Sequence, residues 1–141
     1  MYLITTEEAL ASVQRFLEKT LAKSEWTHEM HLMVGFYMVI THKNEAMTQM
    51  RQAIRAYNEA VGTINSDTSG YHETITAFWI DEIKIFCKNN AITRFDEETL
   101  DVFVFEEYFA DRNLFLQYYS KETILSKEAR KEFVPREYIK N

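Results

Sequence analysis

WTHEMHLMVGFYMVI, Trp26 to Ile40, places two histidines one helical turn apart and follows them with a stretch that carries no charge. From Leu32 to Ile40 every position except Gly35 is apolar or aromatic, so no polar face can be drawn on the helix it would form. A helix that is hydrophobic all round is normally buried all round. The run is far shorter than the ~20 residues a membrane span requires, and His, Glu and Lys close it at both ends. It reads as the central helix of a soluble bundle. Gly35 lowers helix propensity by about 1 kcal/mol relative to Ala, so its expected use is to admit a neighbouring helix at close range.

The rest of the composition fits around such a rod. A chain of 141 residues matches one domain, residues 1–141, and can bury a core without covalent staples. Three glycines and one proline leave few helix breakers, and 14% aromatic residues supply much to pack. The formal net charge is −6 with Lys and Arg scattered, which argues against nucleic acid as a partner. Cys87 is the single cysteine, so no internal disulfide can form, and the opening MYLITTEEAL has neither the basic nor the apolar region of a signal peptide. A cytoplasmic protein without membrane attachment is expected.

Thr5 and Glu8 have capping-box spacing, and a first helix is expected from about Thr6 to Lys23, with Leu10, Val13, Leu17 and Leu21 as its apolar seam. Ser24 and Thr27 compete as caps of the central helix, which should end near Thr41-His42-Lys43. Asn44 can cap a third helix with the seam Met47, Met50, Ile54, Tyr57 and Val61, stopping at Gly62. Beyond the polar loop TINSDTSG, a fourth helix buries Ile75, Phe78, Trp79, Ile83 and Phe86. Its periodicity carried backwards points Tyr71 and His72 to the core side. Asp96, with Phe95 on Leu100 as a hydrophobic staple, opens a fifth helix that carries Leu100, Phe103, Val104 and Tyr108 inward. Asp111, Ser120 and Ser126 then cap short helical turns. The fold class is all-α: an up-and-down bundle of about five helices with short C-terminal turns.

In such a bundle helices two and four start at the same end, where helices one, three and five finish. That pole gathers His28, His31, Arg55, Tyr57, Asn58, Tyr71, His72 and Glu73, with Glu106, Glu107 and the Tyr118-Tyr119 region as further candidates. Three chemistries suit it. His28 and His31 lie on one helix face and, with His72, form a candidate set for a divalent metal such as zinc, nickel or iron, with Glu73 or Tyr71 acting catalytically on a bound ligand. Alternatively the pole is a metal-free small-molecule pocket or enzyme, with His72 as acid or base, Arg55 steadying an anionic group and Tyr57 and Asn58 completing the binding surface. The third reading is an interaction module, whose Tyr- and Phe-rich exposed side binds a partner or a second copy as a homo-oligomer. Asp81-Glu82 reads as a solvated face, and His42 as a helix-end residue.

Trp26-Thr27-His28 with His31-Leu32, Ile54-Arg55 with Tyr57-Asn58, the segment Gly70 to Thr76, GYHETIT, and Tyr119-Ser120 together resemble a family of small uncharacterised bacterial all-helical proteins. The resemblance spans most of the chain and implies a shared helical fold without an activity. A looser likeness, to DinB-type metal-binding bundles, rests on His28, His31 and His72.

Overall fold

The computed structural model describes residues 5–104 and 107–138. Among them there is no strand, and the chain is an all-α bundle. Four longer helices form its body: α1 (Thr6–Leu17), α2 (His28–His42), α3 (Ala46–Ala60) and α4 (Glu73–Asn89). Shorter ones follow: α5 (Glu97–Val104), α6 (Glu107–Ala110), α7 (Lys121–Ile124) and α8 (Lys127–Lys131). Glu106 and the side chains of Val104, Glu107 and Tyr108 lie outside the described residues.

α2 is the central rod. The Thr27 hydroxyl caps it by accepting from the Met30 N–H at 3.2 Å, and Met30, Leu32, Met33, Val34, Phe36, Met38 and Val39 are all buried. It packs against α1, α3 and α4. Gly35 sits where α2 meets α4: a Cβ there would lie 2.8 Å from Ile83 Cδ1 and 3.7 Å from Ile80 Cδ1. The short turn Lys43–Glu45 sends the chain straight back as α3, which makes the two helices antiparallel neighbours. Asn44 lies inside that turn, and no side chain caps α3.

α1 ends earlier than its periodicity predicts. Lys19 adopts a left-handed conformation, φ 66°, and the N–H groups of Thr20 and Leu21 fold back onto the Arg15 carbonyl. This turn buries Leu21, whose carbonyl accepts from the Tyr57 hydroxyl at 2.8 Å. The buried face of α1 is Ala9, Val13 and Phe16, leaving Leu10 and Leu17 exposed. Phe16 draws that face inward by stacking on Trp26 at 4.3 Å and meeting Tyr57 at 5.0 Å.

α4 serves two cores. Ile80, Ile83 and Cys87 join the main one, whereas Phe78 joins Leu114, Tyr118, Tyr119 and Ile124 in a second core beneath the C-terminal segment. Ser120 and Ser126 cap α7 and α8 as expected from the sequence. The final described stretch is a strap. The Thr74 hydroxyl donates to the Glu132 carbonyl and accepts from the Val134 N–H, and the Tyr119 hydroxyl donates to the Val134 carbonyl. Arg136 closes it, lying 4.6 Å from the Phe78 ring and 4.4 Å from the Tyr118 ring while donating to Glu82 at 2.6 Å. Glu82 is therefore buried, in contrast to the solvated face expected of it.

The contact at Gly35 sets a steric limit. Gly35→Ala meets only the flexible end of Ile83 and gains helix propensity, so its stability in urea denaturation should stay within about 1 kcal/mol of the parent. Gly35→Val should cost about 2–3 kcal/mol by prising α2 from α4, and a Val variant as stable as the parent would contradict the packing described.

Candidate functional site

His31, Tyr57, Asn58, Tyr71 and His72 line one cleft, and His28, His31 and His72 are each turned to a different neighbour. His28 donates from Nε2 to the Phe109 carbonyl at 2.9 Å and sets its ring against Trp79, 5.0 Å between centroids. His31, one turn further along α2, donates from Nδ1 to the Thr27 carbonyl at 2.7 Å and stacks on Trp26 at 3.6 Å. His72 is the N-cap of α4, where its Nδ1 accepts from the Ile75 N–H at 3.1 Å and its Nε2 donates to the Ile124 carbonyl at 2.7 Å. Both nitrogens of His72 are thus occupied. Among the described residues no three His, Cys, Asp or Glu side chains gather in a way that could hold a metal ion. The zinc, nickel or iron reading therefore finds no ready ligand set in His28, His31 and His72.

Protonation states follow from these partners. A ring that accepts at Nδ1 and donates at Nε2 must be neutral, and burial lowers the His72 pKa, opposed by the Ile124 bond and assisted by Arg130. Burial pushes His31 down to about 4, against the pull of the Thr27 carbonyl and with His28 and Arg112 adding to the shift. His31 is neutral with its proton on Nδ1, so Nε2 carries a lone pair that no described residue uses.

Glu73 and Tyr71, expected to act on a ligand, are engaged by the protein itself. Arg51 forks onto the carboxylate, Nε to Oε1 at 2.9 Å and Nη2 to Oε2 at 2.7 Å, and the Tyr71 hydroxyl donates to Oε1 at 2.6 Å. Burial raises the Glu73 pKa, but the Arg51 and Tyr71 hydrogen bonds outweigh it and hold the carboxyl below its ordinary range. Burial, with the Glu73 bond adding to it, raises the Tyr71 phenol. The arrangement is a clamp between α3 and α4. Arg51 was not among the residues singled out from the sequence, although it lies one turn from Arg55 on α3.

Two clefts flank Tyr71. One, about 350 Å³, opens between the ends of α2, α3 and α4 and is lined by His31, Trp26, Tyr57, Asn58, His72 and Thr76 with the apolar Ile54, Val61 and Ile75. Tyr118 and Tyr119 do not plug it, being buried in the second core. Most polar groups on its wall are already paired: the Tyr57 hydroxyl with Leu21, the Asn58 amide with Asn65 and the Thr76 hydroxyl with the His72 carbonyl. The other cleft, about 370 Å³, contains Arg55, which sits 5.9 Å over the Tyr71 ring. Cys87, at the far end of α4, has its thiol pushed up to about 11 by burial and takes no part. No helix among the described residues is long and apolar enough to cross a membrane.

Imidazoles held below 6.5 make the unfolded chain the better proton acceptor in mild acid. Their contribution is therefore complete above pH 6.5 and is lost as pH falls towards the folded values, about 4 for His31. Stability should drop by up to about 1.4 kcal/mol per pH unit for each imidazole in that window. His72→Asn, which can still cap α4, should make the urea-midpoint profile between pH 7 and 5 less steep, leaving the share due to His31, and a parent profile already flat there would contradict the assignment. Comparisons of the chain with protein-family models, curated proteins and solved structures find no match.

Proposed function

We propose that this chain binds a small organic molecule, without a metal, in the cleft beside His31. The observation that carries this reading is the neutral His31 imidazole, whose Nδ1 is held by Thr27 and whose remaining nitrogen has a lone pair to offer. The ring is held in place by the Phe16, Trp26 and His31 stack, so little orientation is lost when a ligand arrives. A cleft of about 350 Å³ that sets Ile54, Val61 and Ile75 beside the His31 acceptor, with Lys23 and Thr63 also on its wall, has the size and composition of a ligand pocket. The ligand class that matches is an aromatic or heterocyclic molecule with a hydrogen-bond donor, its ring against Ile54, Val61 and Ile75 and its donor on His31 Nε2. His72 acts here as a positioning residue that fixes the start of α4 and the cleft wall.

Phenol and anisole are matched probes, because they differ by the donor proton. In a Trp79→Phe variant, where Trp26 is the remaining tryptophan, phenol should quench fluorescence saturably and anisole should bind at least about tenfold more weakly. His31→Phe preserves the stack and should remove that preference. Equal binding of both probes, binding of neither, or a phenol preference that survives in His31→Phe would overturn the proposal.

A further inference from the structure

The second cleft, on the other side of Tyr71, has a different character. Of the arginines described, Arg51, Arg94 and Arg136 form ion pairs, whereas Arg15, Arg55, Arg112 and Arg130 form none with a described carboxylate. Arg55 and Arg130 face this cleft of about 370 Å³, one from α3 and the other from α8. Arg130 is fixed: Nη1 donates to the Gly70 carbonyl at 2.8 Å and to the Tyr71 carbonyl at 3.4 Å. Arg55 lies over the Tyr71 ring. Of the acidic residues on the wall, Asp67 is held by Lys131 at 3.6 Å, and Glu132 is the other.

The wall is rigid. The Asn65 carboxamide oxygen accepts from the Asn58 side chain and from the Tyr71 N–H, both at 3.0 Å, and its Nδ2 donates to the Arg55 carbonyl at 3.2 Å. Gly70, at φ 78°, admits no side chain, since a Cβ would sit 2.5 Å from the Ile64 carbonyl oxygen. Loop, α3 and α8 are therefore joined before any ligand arrives.

We infer that this cleft is a binding site for the phosphate group of a small phosphate monoester, held between Arg55 and Arg130. Two guanidinium forks from different elements suit a head group with three terminal oxygens. A planar carboxylate is saturated by one fork. In a chain of net charge −6, the cleft sets Arg55, Arg130 and Lys131 against Asp67 and Glu132, a surplus of positive charge that an anion relieves. This site is independent of the His31 cleft, and its test reads a different ligand.

Inorganic phosphate, titrated at constant ionic strength and followed by amide shifts of Gly70 and Tyr71, probes the site directly. Phosphate should bind at least about tenfold more tightly than acetate, and Arg55→Gln, a change at an exposed position, should weaken it at least about fivefold. Arg130→Lys, which keeps the charge and loses the fork, should weaken it as well. Arg15→Gln, on α1 and away from the cleft, should leave phosphate binding as in the parent. Absence of phosphate binding, equal affinity for acetate, or a loss in Arg15→Gln as large as in Arg55→Gln would overturn the assignment.

Discussion

The structure depends on the neutral imidazole of His72. One nitrogen closes the amino end of α4 and the other ties that end to Ile124 in α7. α4 is the helix that both cores share, so a displaced start would reach the main core through Ile80 and Ile83 and the second core through Phe78. A charged ring cannot hold both bonds, because protonation at Nδ1 replaces the acceptor for Ile75 with a donor. The residue that the sequence offers as a metal ligand or a catalyst is in place the hinge pin of the fold.

From that pin the two clefts take their common wall. Tyr71 precedes His72, and its hydroxyl, its ring and its carbonyl are held by Glu73, Arg55 and Arg130 respectively. The Arg51–Glu73 fork fastens the same segment to α3. Bidentate geometry and a half-buried site make this pair more than a surface contact, and it keeps the carboxylate ionised and unavailable for proton transfer near neutrality. The two proposed sites rest on the lone pair of His31 on one side and two guanidinium groups on the other.

Local signals were legible in the sequence and distant ones were not. Thr5, Thr27, Asp96, Ser120 and Ser126 accept from backbone groups three residues away, so their spacing alone reveals them. The buried α2, the close approach at Gly35 and the meeting of His31, Tyr57, Asn58, Tyr71 and His72 at one pole followed from periodicity and alternating helix direction. The partners of Glu73 and Glu82 are 22 and 54 residues away, and no periodicity connects Arg51 or Arg136 to them. The seam of α1 was misplaced for a related reason: Phe16 is drawn inward by Trp26 and Tyr57, which belong to other segments. Ring orientation was equally hidden, since histidines one turn apart on a helix face can still be rotated to separate partners, as His28 and His31 are.

The most direct test of this account is the tautomer of each histidine, read from long-range proton–nitrogen correlations of the imidazole rings at neutral pH. The account predicts opposite tautomers for two rings that share one cleft. His72 should carry its proton on Nε2 with Nδ1 bare, and His31 should carry its proton on Nδ1 with Nε2 bare. A charged His72, or a His31 protonated on Nε2, would contradict both the capping of α4 and the acceptor on which the ligand site rests.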